Sequence, residues 1–298
     1  MGNLCLSICI PTNGRIEIVR QTLDSIYNEC KVDFADFEVV LSDNSSNDEL
    51  LLLLEAYKQF PNIIYGKTNS EGFLNSINAL TMGNGQFLKL HNNYTMFTSE
   101  GLEKLVSFIK QEYDNKPVVF FKNSGKKGIV FHNSFDEFCS DLSFWNSWST
   151  GFSIWKTDFE DVVKVNLNAM FPHTSLLLLQ SSKEKFLIND EIYFANQDVP
   201  KKGGYNLFRV FAVTYLEMME EQKIKGSISG KSFEKIKKDL FFDFLIDWYC
   251  NTKLFKNEYT FDLKGIKESV SVYYGTKGYF KLKFLSQVHF IKSKLVKN

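Results

Sequence analysis

Four short apolar runs, separated by stretches with helical periodicity, place the strongest limit on what this chain can fold into. The runs are LCLSICI (4–10), FEVVLSD (37–43), NIIYGK (62–67) and GQFLKL (85–90). Their length and β-branched content predict buried strands. Between the first two, Ile18, Val19, Leu23 and Ile26 recur at helical spacing and predict a helix over 16–29. Asp48 stands where it can cap a second helix through LLLLLEAYKQF, and 71–82 reads as a third. Strand–helix alternation of this kind predicts an α/β fold: a Rossmann-like, mostly parallel sheet with helices on both faces. Ligands of such sheets sit at the carboxyl ends of the strands. The loops to watch are therefore PTNGR (11–15), SDNSSND (42–48), KTNSEG (67–72) and HNNYT (91–95).

Beyond residue 97 the pattern is less regular. Leu102, Leu105, Val106 and Ile109 predict a helix over 98–114, and VVFF and GIVFH around KNSGKK read as a hairpin. Residues 133–206 are aromatic and irregular. From 207 the pattern turns helical, with helices expected at 207–222 and at 232–250, where Ile236, Leu240, Phe244 and Trp248 form a stripe. The expected organisation is 1–97 and 98–206 as two halves of one α/β domain, with 207–298 a helical C-terminal subdomain.

Lys+Arg and Asp+Glu are both 35, which gives no support for nucleic-acid binding. The five cysteines (5, 9, 30, 139, 250) include no CxxC and read as free thiols, so a reducing cytoplasm is the expected location. No GxGxxG follows the first strand. GSISGKS (226–232) has a spacer one residue short of a P-loop and no strand before it. The histidines at 91, 132, 173 and 289 lack zinc-ligand spacing, and no GxSxG elbow is present.

SICIPTNGR (7–15), RQTLDSI (20–26), FEVVLSDNSSND (37–48), NSEGFLNSINAL (69–80) and GQFLKLHNNYT (85–95) together resemble family 2 glycosyltransferases of the GT-A fold. TGFSIW (150–155) is similar to that family's acceptor-side glycine segment, and NLNAMFPHTSLLLLQ (166–180) to O-antigen and capsule transferases. The resemblance implies inverting transfer of a sugar from a nucleotide donor to a hydroxyl of a glycan or lipid-linked acceptor. It implies that 98–206 holds the acceptor half. It also places Pro11, Thr12, Asn13, Arg15, Asp43, Asn69, Gly72, Asn75, Asn92, Asn93 and Tyr94 at the donor. Within that frame Pro11 and Thr12 would present backbone groups to base or ribose, and Asp43 would accept from the base N–H. Arg15 would meet the base or the diphosphate.

Laid over the family's metal-binding segment, His91-Asn92-Asn93-Tyr94-Thr95 puts Tyr94 where an aspartate is expected. Amides and a phenol are poor ligands for hard cations. Three readings stay open. The enzyme is metal-independent, with Arg15, Lys89, Tyr94 or the Lys201–Lys202 pair stabilising the diphosphate. Or Mn²⁺ or Mg²⁺ is held mainly by the donor phosphates, with Asn93 or His91 assisting. Or catalysis is lost and the fold serves as a sugar-nucleotide or glycan binding module. The segment MFPHTSLLLLQ lacks the acid expected for a general base, which makes His173 the candidate, alternatively only a helix cap. Asp136, Asp141, Asp190, Glu191 and Asp198 are held in reserve.

No run approaches the length of a membrane span. After Glu268 the chain has no acidic residue but carries Lys277, Lys281, Lys283, Lys292, Lys294 and Lys297 among apolar residues. That composition suits an interfacial helix over 277–298 and peripheral contact with the inner face of a cell membrane. A solvated surface helix or an oligomer contact would give the same composition.

Overall fold

The structure is a computed structural model and describes residues 4–28, 30–197 and 199–296. It divides into two compact units. The first is Met1–Phe138 with Trp145–Asp198, and the second Cys139–Phe144 with Val199–Asn298.

The first unit is built on β1 (Leu6–Thr12), α1 (Ile16–Tyr27), β2 (Phe37–Asp43), α2 (Glu49–Leu54), β3 (Ile63–Lys67), α3 (Asn75–Met82) and β4 (Phe87–Leu90). The four strands are parallel in the order β3-β2-β1-β4. Every residue of β2 and β4 is buried, as is all of β1 except Pro11, because helices cover the sheet. Val19, Leu23 and Ile26 of α1 join Leu6, Ile8, Ile10, Val39 and Leu41 in one core. Burial of each such side chain contributes roughly 1.5–3 kcal/mol. The chain continues through β5 (Thr95–Phe97), α4 (Gly101–Glu112), β6 (Val118–Phe121), β7 (Ile129–His132), α5 (Phe135–Leu142), β8 (Ser153–Trp155), α6 (Lys156–Val162), α7 (Pro172–Leu178), β9 (Phe186–Asn189) and β10 (Phe194–Asn196).

Here the expectations need correcting. VVFF and GIVFH do not form a hairpin. β9 lies between them, parallel to β6 and antiparallel to β7. FLIN is a fully buried run, so it gains more from a central position than an exposed two-stranded ribbon could. Residues 133–206 are not irregular either: β8 closes the main sheet antiparallel to β4, and β10 pairs with β5.

The second unit holds β11 (Gly203–Asn206), α8 (Leu207–Arg209), α9 (Leu216–Ile224), α10 (Gly230–Leu240), α11 (Ile246–Tyr249), β12 (Thr260–Asp262) and α12 (Ile266–Val296). β11 pairs in parallel with β12. Three π-helical turns, Val210–Tyr215, Phe241–Leu245 and Cys250–Leu254, interrupt the α-helices. They explain why the expected stripe fails after Leu240. The wider turn rotates the buried face onto Phe241, Leu245 and Tyr249, leaving Phe244 and Trp248 half-buried. GSISGKS opens α10 with Ser229 as its N-cap, accepting from Ser232 N at 3.1 Å.

Candidate active site

The order β3-β2-β1-β4 reverses its direction of growth between β1 and β4, which is where open α/β sheets form their ligand crevice. β1 and β2 end level, with Thr12 opposite Asp43, whereas β4 ends opposite Cys9. The recess this leaves beside Thr12 receives HNNYT. Asn93 Nδ2 donates to Thr12 Oγ1 at 3.0 Å, and Thr22 of α1 donates to Asn93 O at 2.8 Å. The Thr12 hydroxyl itself donates to Gly14 O at 2.9 Å. The β1 and β4 loops are thereby tied together.

Gly14 (φ 100°) and Arg15 (φ 61°) turn sharply into α1. A left-handed arginine is strained, and such strain collects at functional loops. Asn13 and Arg15 are exposed. The Arg15 guanidinium makes no hydrogen bond or ion pair among the described residues, and its charge reaches the Tyr94 phenol. It sits at the N-terminus of a 12-residue helix, whose unpaired N–H groups add positive potential.

Asp43 is fully buried and already occupied. It accepts from Ser45 N at 2.8 Å, Tyr65 Oη at 3.1 Å and Lys67 Nζ at 3.0 Å. Burial works to raise its carboxyl, but these hydrogen bonds, Ser45 first, hold it below the ordinary value. Asn75 is committed as well. Its amide accepts from Ser42 Oγ at 2.7 Å and donates to Ser42 O at 2.8 Å and Thr12 O at 3.4 Å. Through these bonds Asn75 holds the ends of β1 and β2 together. Asn69 and Gly72 are exposed on the next loop, and Gly72 has φ 53° with open space where a Cβ would stand.

Within HNNYT the side chains diverge. Asn92 Nδ2 donates to Tyr94 Oη at 2.9 Å, while Asn92 Oδ1 accepts from Ser149 Oγ at 2.6 Å and Asn92 N donates to Thr150 Oγ1 at 3.1 Å. Tyr94 is partly buried. Burial raises its phenol above the ordinary value, and Arg15 pulls the other way. His91 points into the core. It donates from Nε2 to Thr95 O at 2.7 Å and stacks on Phe97 with centroids 5.0 Å apart. Burial, aided by the Lys89 charge, lowers it to about 3. Lys89 is corrected too: it is fully buried, bonded to Leu90 O (2.9 Å) and Thr150 O, with its ammonium against Phe121 and Phe194. Neither reaches the strand-end recess. Lys201 and Lys202 belong to the second unit, where their carbonyls pair with Thr260.

Ser149, just before the TGFSIW segment, was not expected at the site; with Thr150 of that segment it holds Asn92. Gly151 lets this segment lie against β6, since a Cβ there would stand 2.3 Å from the Phe120 ring. α7 supports the same segment: His173 Nε2 donates to Ser147 O at 2.9 Å and Thr174 Oγ1 to Asn146 O at 3.1 Å. These bonds bear on His173, the candidate general base. It is 6 % exposed, and burial lowers it to about 4. The Nε2 bond to Ser147 O fixes the 145–151 loop. Asp190 is also committed, accepting from Ser124 N and Oγ and from the backbone N–H groups of Lys126 and Lys127. Glu191 accepts from Tyr193 Oη at 3.1 Å. Asp136 and Asp141 lie on α5, and Asp198 lies outside the described residues.

The residues present do not suit a protein-held divalent cation. In 91–95 no carboxylate exists, Asn92 Oδ1 is engaged and His91 is buried. Asn93 offers one amide oxygen, and among the described residues no three His, Cys, Asp or Glu side chains converge to hold an ion.

A mostly parallel sheet with a polar recess at its switch point, closed by one antiparallel strand, is the GT-A arrangement of sugar-nucleotide-dependent transferases. The sequence model of "Glycosyl transferase family 2" matches residues 7–178, and the chain belongs to that family. The poly(ribitol-phosphate) β-N-acetylglucosaminyltransferase TarS of Staphylococcus aureus is 26% identical over 146 residues, 47% of this chain and 25% of that protein. Abequosyltransferase RfbV of Salmonella typhimurium is 27% identical over 116 residues, 37% of this chain and 34% of that one. The aligned regions thus span only a quarter to a third of these relatives. In three dimensions, TarS 1–349 in complex with UDP-GlcNAc matches with a TM-score of 0.65 at 13% identity, covering 91% of this chain and 81% of that one. Mannosyltransferase PcManGT of Pyrobaculum calidifontis, in complex with GDP-Man and Mn²⁺, matches with a TM-score of 0.53 at 12% identity, covering 99% and 89%. At such identities these likenesses establish the fold.

Proposed function

We propose that this chain is an inverting glycosyltransferase that moves a sugar from a nucleotide-sugar donor to a hydroxyl of a glycan or lipid-linked glycan in bacterial surface polysaccharide synthesis. Family membership and the activities named for TarS and RfbV support transfer and this acceptor class. The UDP-GlcNAc complex of TarS supports a nucleotide-sugar donor. In the reaction the acceptor oxygen bonds to the anomeric carbon as that carbon's bond to the donor phosphate breaks. The nucleoside diphosphate leaves with the electron pair, and the hydroxyl proton passes to a base.

The observation that carries the reading is the recess at the end of β1, where the loop 13–15 and HNNYT are tied through Thr12 and Asn93. The exposed Arg15 guanidinium at the α1 N-terminus acts on the Tyr94 phenol, and 91–95 contains no carboxylate. Positive charge and fixed dipoles at that point can offset the developing diphosphate charge without a metal held by the protein. The reaction is accordingly proposed as metal-independent. The test is titration with UDP, GDP and their sugar conjugates, followed by turnover with and without EDTA. Binding and turnover that persist in EDTA are expected, with affinity about tenfold weaker in Arg15→Gln. Full loss in EDTA, restored by Mn²⁺, would show that the donor phosphates bring a cation. Binding with no turnover on any glycan acceptor would make the chain a binding module.

A further inference from the structure

α12 carries two apolar faces, and only one of them is docked. The chain breaks at Gly275 (φ 68°), and the helix beyond it runs about 30 Å to its end. Its inner face is fixed to the second unit. Leu282 and Ser286 are fully buried, Ser286 O accepts from Cys250 Sγ at 3.1 Å, and Phe290 packs on Phe255 with centroids 4.8 Å apart. Opposite this face stand Phe280 (59 % exposed), Phe284 (63 %), Ile291 (57 %) and Leu295 (71 %). Steps of four, seven and four residues place them in one stripe about 60° wide at 100° per residue. Lys281 and Lys292 border one side, Lys283 and Lys294 the other, and Lys277 extends the stripe toward the break. Among the described residues none of these five lysines is ion-paired. Three of the ammonium groups instead lie near aromatic rings: Lys281 over Phe242, Lys283 over Tyr279 and Lys294 over Phe290.

We infer that this outer face of α12 is a docking surface for an anionic lipid bilayer, with Phe280, Phe284, Ile291 and Leu295 entering the interface and the flanking lysines at headgroup level. A narrow apolar stripe between two rows of cations fits a surface that is apolar below and negative above. It fits a second copy of the chain poorly, because pairing two such stripes brings like-charged lysine rows together. No helix among the described residues is long and apolar enough to cross a membrane, so the contact is one of lying on the surface. The inference is independent of the transfer reaction, and its test needs no turnover.

The test is co-sedimentation of the full chain with vesicles of phosphatidylcholine alone and of phosphatidylcholine with phosphatidylglycerol. Binding at least tenfold tighter to the anionic vesicles is expected, weakening in 0.5 M salt. The triple variant Phe280→Ser, Phe284→Ser, Ile291→Ser should bind at least tenfold more weakly with an unchanged melting temperature. Lys281→Gln with Lys292→Gln and Lys294→Gln should remove the preference for anionic lipid. Should the triple variant fold poorly, Ile291→Trp decides: its emission on anionic vesicles should gain a blue-shifted component that brominated acyl chains quench. Equal or absent binding to both vesicle types, or emission from the Ile291→Trp variant that neither shifts nor is quenched, overturns the proposal. So does a triple variant that turns a dimer into a monomer by light scattering while vesicle binding is unchanged, which would assign the face to a second copy.

Discussion

Replacing His173 separates a positioning role from a catalytic one. The imidazole is buried, and its Nε2–H bonds Ser147 O at 2.9 Å. Burial lowers its pKa from 6.5 to about 4. Above pH 6.5 the ring is neutral in both folded and unfolded chains, so its contribution to stability is complete. Between 6.5 and about 4 the unfolded chain takes up a proton and the folded chain does not, and stability falls with pH. At 1.36 kcal/mol per pH unit of difference, the loss across this window is about 3 kcal/mol. That corresponds to roughly 6–12 °C in melting temperature for a unit of this size. His173→Gln keeps an N–H donor but cannot titrate. Its melting temperature should stay near that of the parent at pH 7.5 and exceed it at pH 4.5. His91, whose own window runs from 6.5 to about 3, is common to both proteins and cancels in the difference. Turnover of His173→Gln at pH 7.5 should remain within about tenfold of the parent. His173→Ala, which also leaves a cavity, should cost about 2–4 kcal/mol. A His173→Gln protein with parental melting behaviour at both pH values and turnover down a thousandfold would refute this reasoning and return His173 to the role of base.

Asn75→Ala should destabilise by about 2–4 kcal/mol in urea, because Ser42 and Thr12 lose buried partners, while nucleotide affinity at low temperature changes less than about threefold. A large loss of affinity without destabilisation would instead make Asn75 a donor contact. Tyr94→Phe removes only the hydroxyl that accepts from Asn92, so about 1 kcal/mol of stability should be lost. A fall in turnover of about a hundredfold beyond that would place the hydroxyl on the diphosphate. Gly151→Ala forces a methyl against the Phe120 ring and should cost about 1–3 kcal/mol, read as a lower midpoint at unchanged denaturant slope.

The donor-side architecture was legible because its signals are local. Each of the first four strands is a contiguous apolar run, and the helices between them show their own periodicity. β8, β9 and β10 were harder to see. They are three or four residues long, and their strand partners lie from 54 to 101 positions away in the sequence. Pairing at such range is set by where a buried edge is available, which no local window contains. The same limit applied to polar residues. A polar residue at a strand end reads alike whether its hydrogen bonds face a ligand or the chain. Asn75 and Asp43 turned inward, while Asn13 and Arg15 stayed exposed.

By itself, then, the sequence determined the strand–helix alternation, the edge of the sheet that carries the polar loops, and the absence of a carboxylate from 91–95. These follow from residue type and spacing. Tertiary structure alone decided which of those residues are free to act. It buried Lys89 and His91, turned His173 into a brace for the 145–151 segment, and docked one apolar face of α12 while leaving the other exposed. Two apolar faces on opposite sides of a helix leave no one-sided pattern in the sequence, and only packing distinguishes the docked face from the open one.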